Sequence, residues 1–395
     1  MVTTVERMQT YDGPAILSYG FRPFFLLGAV WAALAVAVWL PMLAGSLELP
    51  TAFAPVDWHV HELLYGYLPA VVAGFLLTAV PNWTGRLPVT GRPLLGLLLI
   101  WVAGRLAVAV SAWLGHRWTA VIDLLFLTLL AVVVAREIVA ARSLRNLKVL
   151  LLLGLLVIGN SVFHAEAALA SGTGYGTRIG IAAAVLLISL IGGRIVPSFT
   201  RNWLVRERPG ALPQPFDLFD IVTLIVGAVA LAFWIAAPMH AATGATALMA
   251  GLLHTLRLGR WRGYRAVAEP LVLVLHLAYA FVALGFFLVA AGVAFPAHFA
   301  ASGAVHGWTA GGIGLMTLAV MTRASLGHTG QPLTATAPVQ LIYAAASIAA
   351  LARIVAALGL ARDPLLHLSA TAWVIAFAGF AVVYWPLLTR PRQGS

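Results

Sequence analysis

The fold this sequence predicts is all-α: a polytopic membrane helical bundle of about twelve transmembrane helices, with both termini cytoplasmic. Three observations carry it. The 395-residue chain is 62% hydrophobic and only 9% charged, too little charge to cover a soluble surface of this size. Apolar runs of about 20 residues recur, each long enough to cross a hydrocarbon core of ~30 Å. The basic residues gather in short loops between those runs, so the net charge of +11 does not point to nucleic acid. The chain has no cysteine, which excludes disulfides, thiolate-ligated haem, iron–sulfur clusters and covalent haem attachment. Any metal must be held by His, Met, carboxylate or Tyr.

Twelve span cores follow from the apolar runs: 24–43, 63–80, 94–114, 120–140, 147–170, 179–196, 221–237, 241–256, 271–293, 304–321, 339–358 and 369–388. The first is too long for a signal-peptide core and reads as a retained span. The eighth is short and rich in Ala, Gly and Thr. The chain reads as one membrane domain over 1–395. The longest internal loop, Pro197 to Asp220, holds four prolines and would link halves 1–200 and 215–395 on the cytoplasmic side. No sequence repeat relates those halves.

Orientation follows from the loop charges. Arg7, Arg22, Arg86, Arg92, Arg136, Arg142, Arg145, Lys148, Arg194, Arg201, Arg206, Arg208, Arg257, Arg260, Arg262, Arg265, Arg323, Arg390 and Arg392 all fall on one side, against Arg117, Arg178 and Arg362 on the other. The basic side is expected to be the cytoplasm.

That assignment gives each of the eleven histidines a depth. Trp58-His59-Val60-His61-Glu62 stands at the mouth of the second span. Extended backbone would point His59 and His61 the same way, whereas a helix would separate them by about 200°. His164 and His306 lie at the same outer depth. His59, His61 and His306 are the expected ligands of a metal such as copper or haem iron, both of which suit imidazole, with His164 in reserve. Glu62 and Glu166 stand close enough in sequence to orient an imidazole. His116, His298 and His367 read as solvated loop residues, and His240 as a helix-start residue. Near the inner face, His276 with either His254 or His328 is the expected axial pair of a b-type haem, with Arg323 and the arginines at 257–265 neutralising propionates. A buried imidazole left unpaired at His276 would cost about 1–3 kcal/mol. The rival arrangement holds the haem at the outer face through His164 or His306, beside the outer metal. Gly307, Gly311 and Gly314 would form one bare helical face, for close packing or for a flat macrocycle. Gly327-His328-Thr329-Gly330 suggests an irregular turn presenting His328.

Several stretches together resemble the NnrS family over nearly the whole chain. They are Phe21-Arg-Pro-Phe-Phe, Trp58-His-Val-His-Glu, the run from Gly74 to Gly85, Gly193-Arg-Ile-Val-Pro-Ser-Phe-Thr, His276-Leu-Ala-Tyr and Met321-Thr-Arg-Ala-Ser-Leu-Gly-His-Thr-Gly. The resemblance implies a haem- and copper-containing inner-membrane protein linked to nitric oxide metabolism, denitrification and nitrosative-stress resistance, and it makes copper the metal expected at His59, His61 and His306. Three functions compete. A redox metalloprotein would bind nitric oxide, delivered through the surrounding lipid, at a metal centre. A sensor or metal-handling protein would use the same metals without turnover. A transporter would use Arg105, Asp123, Arg194 and Arg353 as path-lining groups, although the histidines gather at the faces rather than at mid-depth. No electron-donor domain is visible in the chain.

Overall fold

A computed structural model describes residues 11–142, 146–170, 172, 174–299 and 301–391. Arg7, Arg145 and Arg392 of the charge pattern lie outside the described residues. Among the described residues there is no strand. Twelve long helices follow one another: α1 Phe21–Leu43, α2 Pro55–Thr84, α3 Gly91–Ala109, α4 Ser111–Ala140, α5 Leu147–Ala168, α6 Gly174–Glu207, α7 Leu218–Ala236, α8 Ala241–Arg260, α9 Pro270–Ala294, α10 (Ala301–His306, Gly307–Gly314 and Leu315–His328), α11 Ala337–Ala357 and α12 Arg362–Thr389. Eleven of them are long and apolar enough to cross a membrane, and α8, with 20 residues, has the length without the apolarity. The protein is therefore a multi-pass membrane helical bundle.

Four local features differ from the sequence expectation. The break between the third and fourth helices falls at Val110, not after Leu114, so His116 lies inside α4 rather than in a loop. Gly115 makes this workable. Its φ of 75° and ψ of 156° re-aim the helix at a position only glycine occupies easily. Pro197 does not end the sixth helix, which continues to Glu207, as prolines in membrane helices often permit. The proline-rich connection thus shrinks to 208–217. Arg265 donates to the carbonyls of Arg208, Pro209 and Ala211 there, and the Gln214 amide donates to the Arg260 carbonyl at 3.1 Å. His328 is the last helical residue of α10, and the turn comes after it, at Gly330 with φ 76°.

The fourth difference concerns helix type. Both α2 and α10 carry a π-helical insertion, at Glu62–Tyr67 and Gly307–Gly314. A π turn takes an extra residue, so side chains beyond it are rotated relative to an α-helix. The three glycines of α10 consequently do not share one face. A Cβ at Gly307 would meet Gly285 and Leu288, one at Gly311 would meet Phe281, and one at Gly314 would meet Trp373. The space they clear is filled by neighbouring helices, which is the packing use, and no flat slot for a macrocycle remains along them.

The two insertions share a pattern. In each, a histidine is the last residue before the π turn, His61 and His306. Each helix then closes on Thr-Gly, with Gly85 and Gly330 following their histidine by 24 residues and adopting φ 68° and 76°. The relation pairs α2 with α10, not one half of the chain with the other.

The chain forms two compact units, Met1–Gly180 with Met321–Pro332 and Phe377–Ser395, and Ile181–Val320 with Leu333–Ala376. In the first unit α1, α2, α3, α4 and α5 pack around a buried polar cluster. Arg22, only 2% exposed, caps the end of α12 there, donating to the carbonyls of Leu388 at 3.2 Å and Arg390 at 2.7 Å. In the second unit α9 packs against α8 and against the π segment of α10, and α8 also contacts α7.

Candidate metal centre

The first unit gathers six polar side chains from four helices. Pro55 opens α2, with Asp57 in its first turn where the helix dipole favours an acid. The segment is helical, so His59 and His61 diverge. His59 is half-buried and stacks on Trp39, with ring centroids 4.0 Å apart. His61 turns inward and is fully buried. Glu62, the first π residue, accompanies it: its Oε1 lies 3.0 Å from His61 Nδ1. Helix α3 supplies Arg105, whose Nη1 donates to both Glu62 oxygens at 2.7 Å and whose Nη2 donates to Asp123 Oδ1. Helix α4 supplies Asp123. Helix α5 supplies Asn160 and His164, which share a face because they are four residues apart.

Asp123 Oδ2 is the focus. It accepts from Asn160 Nδ2 at 2.8 Å and lies 3.2 Å from His61 Nε2 and 3.0 Å from His164 Nε2. Small residues make room for the charged partners. A Cβ at Gly66 would fall 2.4 Å from Arg105 Nη1, and one at Gly104 would fall 3.1 Å from Asp123 Oδ1. Trp31 Nε1 donates to Glu62 Oε2 at 2.7 Å, and Trp101 Nε1 to the Gly66 carbonyl at 2.9 Å.

Charge counting shows what the cluster lacks. Its charged and imidazole side chains are at most 4% exposed. Two carboxylates face one guanidinium, so one negative charge is left over. A bare excess charge is too costly in a membrane interior. The excess charge must therefore be neutralised, by a proton on a carboxyl or imidazole or by a bound cation. His61 has acceptors on both sides, Glu62 at Nδ1 and Asp123 with Asn160 Oδ1 at Nε2, the latter 3.2 Å away. With Nδ1 donating to a carboxylate, Nε2 is oriented as metal-binding histidines usually are. His61, Asp123 and His164 each offer a ligand atom, and these atoms lie within 4.8 Å of one another. Two imidazoles and one carboxylate oxygen suit a divalent transition-metal ion such as copper, zinc or iron. The donor set fits such a metal.

Sequence reasoning reached His61, His164 and Glu62 and missed Asp123, Asn160 and Arg105 as members of this group. A signal was present: Asp123 is an acid inside an apolar run, and intramembrane acids are functional candidates by default. Of the other expected ligands, His306 belongs to the second unit, where its Nδ1 lies 2.6 Å from the Ser302 carbonyl. Glu166 accepts from the amides of Tyr175 at 2.8 Å and Gly176 at 2.9 Å, at the start of α6.

The second unit holds another buried polar network. Asp220 accepts from Arg257 Nε at 2.7 Å. Arg257 Nη1 donates to the Ser189 carbonyl at 2.9 Å and to the Tyr279 hydroxyl oxygen at 2.8 Å. His254 Nδ1 lies 2.8 Å from that same oxygen, and its ring stacks on Phe286. A Cβ at Gly227 would fall 3.0 Å from His254 Nε2, so this nitrogen faces a bare backbone. His276 Nε2 lies 2.9 Å from Thr200 Oγ1, and the Thr200 hydroxyl donates to the Val196 carbonyl at 2.8 Å, so His276 is the donor. The structure does not bring His254 and His276 face to face. Tyr279 contacts His254 and Trp261, and Trp261 contacts His276. His328 and Arg323 fall in the first unit, where His328 packs beside Tyr19 and Phe21. His254 and His276 each have one ring nitrogen bonded and the other against a glycine: a Cβ at Gly263 would fall 2.3 Å from His276 Nδ1.

No curated protein and no solved structure matches the chain. A family model described as NnrS protein matches residues 15–392, nearly the whole length, and the chain therefore belongs to the NnrS family.

Proposed function

We propose that this protein is an inner-membrane metalloprotein of the nitric oxide response, with a copper ion held by His61, Asp123 and His164. The carrying observation is the buried cluster with one uncompensated negative charge and two imidazoles converging on one carboxylate oxygen. Copper held there would supply a redox-active Lewis-acid centre able to bind a small diatomic ligand. The chain's own residues do the rest. Glu62 orients His61 through Nδ1, Asn160 orients Asp123 through its side-chain amide, Arg105 holds both carboxylates, and the rings of Phe53, Tyr65 and Phe163 give His61 an apolar wall. Such a wall excludes water and admits nitric oxide, which partitions into lipid.

The test is copper per protein in purified variants. His61→Ala and His164→Ala should each lose the ion, and His59→Ala should keep it, because His59 stacks on Trp39 instead. Retention of wild-type copper in both His61→Ala and His164→Ala sinks the assignment. For the haem b implied by the family resemblance, His254 is the first candidate ligand, with its Nε2 against bare Gly227, beside His276, whose Nδ1 lies against Gly263, and His328. Soret absorbance in the three single alanine variants decides among them, and an unchanged spectrum in His254→Ala refutes that choice. Nitric oxide consumption by the loaded protein with a chemical reductant separates catalysis from sensing or metal handling.

A further inference from the structure

The metal cluster is enclosed almost entirely by helices. Trp31 comes from α1, Tyr65 from α2, Arg105 from α3 and Phe163 from α5. Phe53 is the exception. It lies in the connection 44–54 between α1 and α2, is only 6% exposed, and touches three imidazoles at once. Its ring stacks on His61 at 5.7 Å and meets His164 edge-on at 5.9 Å and His116 edge-on at 6.3 Å.

Two of those imidazoles have a buried nitrogen without a hydrogen-bond partner, His116 Nδ1 and His164 Nδ1. A buried imidazole nitrogen left unpaired is costly unless it has work to do. His116 is half-buried, and the Gly115 kink presents it at the end of α4 where the Phe53 connection docks. The connection is tied down by a small set of bonds. Thr51 Oγ1 donates to the Val108 carbonyl at 2.9 Å, Ser111 Oγ accepts from the Ala52 amide at 2.8 Å, and the Ala112 amide donates to the Pro50 carbonyl at 3.0 Å.

We propose that His116 is the first ligand for an incoming transition-metal cation and that Phe53 is the stopper between it and the His61–Asp123–His164 centre. The inference rests on the metal reading of that centre. A half-buried imidazole is a good ligand for a transition-metal cation such as copper, and an apolar ring over the inner imidazoles keeps water and protons from following it. Phe53 is carried on a short connection, so its ring and backbone can move aside together without moving a membrane helix.

The test uses the full-length, metal-free protein in detergent and Cu(II) supplied as a weak glycine chelate. Uptake is timed by metal content after rapid desalting. His116→Ala should slow uptake by about tenfold, equivalent to about 1.4 kcal/mol of barrier, and leave the final copper content unchanged. Phe53→Leu should speed both uptake and release by a similar factor. Ser111→Ala, which leaves the ring intact and loosens its tether, should act in the same direction as Phe53→Leu and serves if that variant misfolds. Wild-type uptake rates in His116→Ala and in either loosened variant overturn the proposal while the centre stands. Failure of the wild-type protein to retain copper, or its retention in both His61→Ala and His164→Ala, overturns the centre itself.

Discussion

Arg105→Leu tests whether the first-unit cluster is one electrostatic body. The side chain is 4% exposed and makes two 2.7 Å bonds to Glu62 and a further bond to Asp123. Each hydrogen bond to a charged group contributes roughly 1.5–3 kcal/mol, giving about 4.5–9 kcal/mol gross for three. Burying the guanidinium costs several kcal/mol, and losing one partner of a buried pair typically nets about 3–5 kcal/mol. That range lowers the folded-to-unfolded ratio by roughly two to four orders of magnitude. The loss should come from the carboxylates left behind, so removing one of them should return part of it. Glu62→Gln in the Arg105→Leu background leaves Asp123 facing the imidazoles alone. The double variant should be more stable than Arg105→Leu by about 1–2 kcal/mol, a coupling expected for residues in one network. Unfolding in mixed micelles followed by circular dichroism reads both quantities. If Arg105→Leu lies within about 1 kcal/mol of wild type, or if Glu62→Gln adds its full cost to it, the cluster is not coupled as described.

Other outcomes follow from single contacts. A Cβ at Gly176 would fall 2.5 Å from the backbone of Phe163, so Gly176→Ala should destabilise α5 against α6 by about 1–3 kcal/mol in the same unfolding assay. A reporter fused to the C-terminus should be active only if it is a cytoplasmic type, and an active periplasmic reporter contradicts the charge-based orientation. The Arg260 hydrogen bond to Asp217 holds that carboxyl below the ordinary carboxylate range. A depressed folded value means the contribution is present above the unfolded value and is lost as pH falls through the folded one. Asp217→Asn keeps a helix-capping side chain, so its unfolding midpoint should fall less steeply in acid than that of wild type, and equal slopes refute the pairing.

How far the sequence could be read differs between fold and site. The membrane class, the number of long helices and most of their extents follow from composition and apolar run length, because each span must bury its own backbone polar groups and needs a fixed length to do so. Side-chain directions do not follow from either. His59 and His61 are two residues apart, and only the helical backbone of Pro55–His61 sends one to Trp39 and the other to Asp123. The glycines of α10 suggest a single face until the π turn rotates Gly314 toward Trp373. His116 reads as a loop residue until Gly115 kinks the helix beneath it. Asp123, Arg105 and Asn160 lie 18 to 99 residues from their partners in sequence, and nothing local marks which apolar run each will face. Run length and loop charge are properties of one segment, legible in that segment alone. Which buried groups meet is decided by helix rotation and packing, where an inserted residue or a missing Cβ changes the partner, and so it belongs to the tertiary structure.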